Sequence, residues 1–506
     1  EMLKKLNGMF AFAIWDTQKQ QLFIARDHAG IKPLYYYSSG GTLIFGSEIK
    51  TILNHPGVPK NMNRTSFDLY SFFGYIPGQE SIFEGIHKLQ PGHYLTFSTK
   101  GLQITKYYDL ESLSTPNSDT LDTLFDNSLK LQSIADVPLG VLLSGGLDSS
   151  LIAYYLTRQK HNVKSFSISF SEKSFDESTY AKQVSDILGT HHHEEQFSAE
   201  NLIDIFPKIV QKLDEPLADP SLFPTFAVSA LARKHVKVAL SGDGGDELFA
   251  GYPTYQGHFL ANLIPKLPSP VISSWINTLN KFNTSTQNYP TLEVLINGMS
   301  GLDKGPIERQ LTWMSNQSVG LTKSKDIRSN SVYQTLLQTP FDPKHILRSV
   351  QKLDFATYLE GDLLVKSDRA SMFNSLELRV PFLDLDLISY AYTTQSPHAD
   401  FFTTKSQLRR LLRQKLPKDL LDRGSNFFGV KLFRKKGFGI PLFKWMTTDL
   451  RPLVEDHLSN QGLSEHFDMQ RVRSLWDRTL SGQANHSKLI WMVVMFSAWQ
   501  REWLRS

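Results

Sequence analysis

The chain has 506 residues, 21% of them charged and 41% hydrophobic, with a formal net charge of +4. That is ordinary globular composition, long enough for two or three domains, and so small and dispersed a charge asks for neither a nucleic-acid nor a membrane partner. With no cysteine at all, disulfides, thiolate metal sites and cysteine nucleophiles are excluded from these residues. The longest apolar run, Leu489 to Trp499, falls well short of the roughly 18 residues needed to cross a bilayer. No signal peptide is visible, so a cytoplasmic location is expected.

The first ~110 residues read as β-hairpins. Phe10 to Trp15 and Leu22 to Ala25 flank a polar turn, and Leu34 to Tyr37 and Leu43 to Phe45 flank Ser38-Ser39-Gly40-Gly41. Phe83, Ile86, Leu95 and Phe97 give further short strands around Pro91-Gly92. Ser112 to Thr120, rich in Ser, Thr, Pro, Asn and Asp, reads as a linker. From Leu121 the apolar spacing becomes helical and leads to Val141-Leu142-Leu143, a short buried strand. After it come Ser144-Gly145-Gly146-Leu147-Asp148-Ser149-Ser150 and a helix carrying Leu151, Ile152, Tyr155 and Leu156.

A strand that runs into a glycine turn and opens a helix is built to take phosphate. Glycines let backbone N–H groups approach an anion, and the helix N-terminus adds partial positive charge. Ser144, Ser149 and Ser150 can donate further hydrogen bonds. Asp148 would repel phosphate unless a cation lies between them, which points to Mg²⁺ shared with phosphate oxygens. The pattern GxxxxGK[ST] is absent. SGG-x-DSS instead resembles the signature of the N-type ATP pyrophosphatases, which cleave ATP between the α and β phosphates and adenylate a substrate.

Downstream, Phe166, Ile168 and Phe170 alternate with serines as a second strand. A helix through Ala181, Val184 and Leu188 stops at Gly189, and Val236 to Leu240 is a third strand. Alternating strand and helix predicts a doubly wound parallel α/β sheet. From about residue 255 the chain reads as mostly helical. His191-His192-His193 invites a metal reading, but neighbours on a strand face opposite ways and no carboxylate or Cys is spaced for Zn²⁺.

A second glycine-rich segment, Ser241-Gly242-Asp243-Gly244-Gly245-Asp246-Glu247-Leu248-Phe249-Ala250-Gly251-Tyr252, follows the third strand. Ligands bind at that edge of an open α/β sheet. Asp246 is assigned to Mg²⁺ beside Asp148, and Asp243 to the substrate or proton-transfer side. Asp214-Glu215-Pro216-Leu217-Ala218-Asp219-Pro220-Ser221 is acidic and turn-rich, and a capping role for Asp219 or Ser221 on the next helix is at least as good a reading as catalysis. Leu364 to Met372, with Lys366, Asp368 and Arg369, and Leu376 to Asp384, with Arg379, interleave charge with apolar residues. They read equally well as a pocket wall (Asp368, Arg369, Arg379) or as structural ion pairs. Arg434-Lys435-Lys436-Gly437-Phe438-Gly439 is a flexible basic loop, and a lysine there could stabilise a leaving pyrophosphate.

These motifs, with Leu6 to Asp16, Ala25 to Tyr36 and Gln90-Pro91-Gly92-His93, are similar to those of the asparagine synthetase B family, in its order and across nearly the whole chain. The resemblance implies a truncated N-terminal-nucleophile glutaminase domain over 1–111, a linker over 112–120 and an ATP-pyrophosphatase synthetase domain over 121–506. It implies that the catalytic cysteine and the Asn-Gly-Glu segment lie upstream of Glu1, so that this chain, which opens without Met, is expected to use free ammonia. It places Leu142 and Ile168 beside adenine, Ser241 and Gly242 on ATP, Lys435 on pyrophosphate with Lys436 as fallback, and Asp243 where the family usually has a glutamate proposed as general base. The implied partners are ATP, aspartate or another carboxylate, and glutamine or ammonia; a homodimer is compatible. Three other readings stay open: amidation of a uronic acid or glycan-linked carboxylate, which the DEPLADPS stretch favours; intramolecular amide closure as in β-lactam synthetases; and a non-catalytic partner protein.

Overall fold

The computed structural model describes residues 1–114, 120–263, 270–272, 274–275, 278, 298–316, 320–323, 326–394, 404–417, 425–427, 430–432 and 439–504. The expected linker core and the basic loop with Lys435 and Lys436 lie outside the described residues.

The N-terminal alternation folds as two antiparallel sheets. One has the order β1 (Ala11–Asp16), β2 (Gln21–Arg26), β6 (His93–Ser98), β7 (Gly101–Lys106). The other has the order β4 (Thr42–Gly46), β3 (Tyr35–Ser39), β5 (Ile86–Lys88). The β3–β4 turn uses Gly40 and Gly41 at φ +56° and +79°, the left-handed pair that matches strand twist. Helix α1 (Arg64–Phe73) follows, capped by Asn63 and closed by left-handed Gly74.

Beyond α2 (Leu121–Gln132) lies a five-stranded sheet, parallel throughout, in the order β10 (His191–Gln196), β9 (Lys164–Ser169), β8 (Leu139–Leu142), β11 (Val238–Leu240), β12 (Glu377–Arg379). Helices α3 (Leu147–Gln159), α4 (Ser178–Leu188), α5 (Ala199–Lys212) and α6 (Leu222–Arg233) join the first four strands in sequence. Val141, Ala239 and Leu240 are fully buried, as strands covered on both faces require. Winding starts at β8, runs outward through β9 and β10, then returns to the other side of β8 with β11. The direction therefore reverses between β8 and β11, and that crevice is where open α/β sheets bind ligands.

From Ile346 to Met372 the chain is one helical run whose middle, Phe355–Leu363, is π-helical; its last segment is α7 (Leu364–Met372). A π segment widens the turn and re-aims side chains, and such segments often sit at functional sites. Here Glu360 reaches back to Arg26 of β2 at 2.8 Å, a pair only 3% and 1% exposed. The N-terminal sheets are further tied on by Lys32–Asp368 at 2.9 Å and by Asn7 donating to Asp384 at 2.8 Å. His28 Nε2 lies 2.7 Å from the Leu383 carbonyl. One apolar core crosses the same seam, with Phe67 on Phe496 and Phe83 on Trp499 of the last helix. Among the described residues no helix is long and apolar enough to cross a membrane.

Candidate active site

The β8–α3 loop is shaped by Gly145 at φ +72°. A Cβ there would come within 2.6 Å of the Ala181 nitrogen, so α4 packs straight onto the loop backbone. Ser144 N donates to Ser149 Oγ and Gly146 N to Ser144 Oγ, both at 3.2 Å, which holds the two hydroxyls at the loop mouth. Gly146 caps α3 without any side-chain hydrogen bond. The first turn thus presents uncapped N–H donors and the positive end of the dipole, which is what an anion takes.

Asp148 stands in that first turn. The second glycine-rich loop, after β11, closes over it: a Cβ on Gly242 would lie 2.9 Å from the Asp148 Cβ, and one on Gly245 would lie 2.8 Å from its Cγ. Only glycines allow this approach. Asp148 and Asp246 then share one cation, the ammonium of Lys405, which is ion-paired to Asp148 and lies 2.7 Å from Asp246 Oδ1. Lys405 is 4% exposed and precedes α8 (Ser406–Arg413) in the left-handed conformation, φ +53°. Gly251 makes room for this meeting, since a Cβ there would stand 1.8 Å from Asp246 Oδ1 and 2.3 Å from the Lys405 Cε. Asp148 Oδ1 is buried with no hydrogen-bond partner among the described residues. Two convergent carboxylates with a spare oxygen fit a divalent ion that takes its remaining ligands from phosphate and water. No cluster of three or more His, Cys, Asp or Glu that would cage an ion stands among the described residues.

Beside this pair lies an acid-rich shelf. Asp243 Oδ2 accepts from the hydroxyls of Ser241 and Ser367, each at 2.7 Å. Lys366 donates to Asp219 at 2.7 Å and to Ser221 Oγ at 2.8 Å. Burial alone would push the Lys366 ammonium down, but Asp219, then Asp362, and also Asp243 hold it well above its usual value. Burial would likewise raise Asp219, and Lys366 keeps it below the ordinary carboxylate range. Burial together with Asp219 drives the Asp362 carboxyl up. Glu247, which accepts from Tyr252, is pushed up by burial to about 7.

The structure therefore brings together Ser144, Gly145, Gly146, Asp148, Ser149, Ser150, Ser241, Gly242, Asp243 and Asp246. Leu142 ends β8, partly buried against the core; Ile168 on β9 is itself in that core. The expectation for the DEPLADPS turn is corrected for Ser221, which occupies the cap position of α6 but makes no side-chain cap bond. Asp219 Oδ1 accepts from the Ser221 backbone N–H at 2.8 Å, the Ser221 hydroxyl donates to Asp219 Oδ2 at 2.8 Å, and both side chains serve Lys366. Of the residues read as a pocket wall, Asp368 pairs with Lys32, and Arg369 pairs with Glu48 at 3.0 Å, so both belong to the seam with the N-terminal sheets. Arg379 spends its guanidinium on Glu377 and on the carbonyls of Gln132 and Ile134, each at 2.7 Å. Among the histidines, His192 sits between the Ser165 and Ser167 hydroxyls, and His193 stacks on His235 with centroids 3.8 Å apart. Lys405 is the site residue that local pattern did not single out, and the pairing of Lys366 with Asp219 was not legible either.

A family model for asparagine synthase matches residues 120–501, and one for a glutamine amidotransferase domain matches residues 1–108. The chain is 31% identical to a putative glutamine-hydrolysing asparagine synthetase of Mycobacterium tuberculosis, over 99% of this chain and 77% of the relative. It is 30% identical to glutamine-hydrolysing asparagine synthetase 1 of Bacillus subtilis, over 99% of this chain and 78% of the relative. A more distant relative is amidase chry2 of Gibberella zeae, at 27% identity over 77% of this chain and 63% of the relative.

Proposed function

The chain belongs to the asparagine synthase family of amidotransferase ligases, and from that premise we propose that it converts aspartate to asparagine with ATP, through an aspartyl-adenylate, using ammonia. One observation carries the reading: two loops from separate strands converge Asp148 and Asp246 on a single cation at the point where the sheet reverses direction.

In this reading the uncapped N-terminus of α3, with Ser144, Ser149 and Ser150, holds the phosphates, and Leu142 and Ile168 flank the adenine. Asp148 and Asp246 would hold Mg²⁺, whose charge, when bound, neutralises the triphosphate. The aspartate side-chain carboxylate attacks the α-phosphorus; an oxygen–phosphorus bond forms, and pyrophosphate leaves with its charge stabilised by Lys435. Ammonia then attacks the acyl carbon, AMP departs with one former carboxylate oxygen, and the proton lost from nitrogen passes to Asp243. Residues 1–111 contribute to the glutaminase side and 121–506 form the synthetase. A cavity of about 20 Å³ lies on the seam between them, lined by Tyr35, Tyr75, Lys88, Glu215, Gly361 and Arg369. It has room for one molecule the size of water or ammonia.

The test is amide formation from ammonium, ATP and a panel of acids. Aspartate is expected to give asparagine and AMP in equal amounts. Amide formed on a uronate and not on aspartate would move the reading to glycan carboxylates, and no AMP from any acid would leave a non-catalytic relative.

A further inference from the structure

Lys405 occupies the point a divalent ion would have to take. Its ammonium stands at hydrogen-bond distance from both Asp148 and Asp246, buried. An ion bound to the same two oxygens, at roughly 2.0–2.1 Å from each, would contend with Nζ for the space between them. Two cations do not share that volume, so one displaces the other. Driving out a buried ammonium is costly unless a new anionic partner receives it. A bound triphosphate would supply such an anion at the loop mouth. The backbone favours a side-chain swing over a loop rearrangement, because Arg409 Nε pins the Thr404 carbonyl at 2.8 Å.

We propose that Lys405 is a specificity-determining residue that bars a free divalent ion from the Asp148–Asp246 pair, so that metal enters only together with nucleotide. This rests on the reading that these two carboxylates are the metal ligands. Lys405 keeps the two acids close and neutralised between turnovers, and it makes metal loading conditional on the substrate that needs it. Gly251 belongs to the same device, since a methyl group there would strike both Asp246 and the Lys405 stem.

The experiment measures Mn²⁺ binding by electron paramagnetic resonance, with thermal melting alongside, with and without α,β-methylene-ATP. The proteins are the unsubstituted chain, Lys405→Met, Lys405→Arg and Asp148→Asn. The unsubstituted chain and Lys405→Arg are expected to bind Mn²⁺ at least tenfold more weakly without nucleotide than with it. Lys405→Met is expected to bind Mn²⁺ without nucleotide at least tenfold more tightly than the unsubstituted chain, and to melt higher when Mn²⁺ is added. Equal nucleotide-free affinities in the two proteins would overturn the proposal. So would tight nucleotide-free binding by the unsubstituted chain, a result that needs no variant to fold. If Asp148→Asn leaves Mn²⁺ binding in the presence of the nucleotide unchanged, the metal-ligand reading itself fails, and the proposal with it.

Discussion

Replacing Asp148 or Asp246 by asparagine is expected to lower kcat/KM for ATP-dependent amide formation about a thousandfold, roughly 4 kcal/mol of transition-state stabilisation. Asparagine keeps the shape of the carboxylate and removes its charge, so the loops that Gly242, Gly245 and Gly251 bring together need not move. What would be lost, on the proposed assignment, is one of two anionic ligands for the ion that offsets the triphosphate charge. The two side chains converge on one point, so they act as a unit, and the double variant is expected to fall little below either single one. Steady-state rates for the two single variants and the double variant decide this. A loss under tenfold in both single variants, or losses that multiply in the double, would show that the pair is not a joint ligand.

The second large effect concerns stability. Lys366 is 8% exposed and is the cation that faces Asp219, Asp362 and Asp243. Lys366→Met leaves the Asp219 carboxylate buried without the ammonium that bonds it, a loss expected to reach about 3–5 kcal/mol. Spread over the large parallel-sheet half, that corresponds to a fall of roughly 5 °C in Tm. Lys366→Met with Asp219→Asn should recover part of it, because the second change removes the acid that Lys366 bonds at 2.7 Å. Melting curves of the three proteins measure this. A single variant within 1 °C of the unsubstituted chain would mean that the acids shed their charge at no cost and that Lys366 is not their anchor.

How much of this could be read from the sequence depends on how local each signal is. The strand, glycine turn and helix from Val141 to Leu156 are contiguous, and backbone chemistry alone gives them their meaning. The same holds for the loop after β11, because a run of glycines and carboxylates beyond a buried strand has few other uses. The parallel sheet followed from alternation, and its reversal between β8 and β11 is the structural fact that brings the two loops together. Lys405 carried no such signal. It is a lone lysine after Phe401-Phe402-Thr403-Thr404, and its partner Asp148 lies 257 positions away. Asp219 does bond the Ser221 N–H at the start of α6, as the local pattern suggested, but its partner Lys366 is 147 positions on, beyond the reach of any local signal. Arg369 was visibly charged on a helix, but periodicity cannot say which face meets another part of the chain, and that face meets Glu48. Arg379 was drawn off by the carbonyls left at the end of α2, a demand no local pattern reveals.

The central claim is that a carboxylate oxygen attacks the α-phosphorus held between the two loops, and isotope transfer tests it most directly. Aspartate labelled with ¹⁸O in its side-chain carboxylate is turned over with ATP and ammonium, and the products are read by mass spectrometry. The account predicts one ¹⁸O in AMP for each asparagine formed, and none in pyrophosphate. Label in inorganic phosphate, with ADP as the nucleotide product, would place the attack on the γ-phosphorus and contradict it.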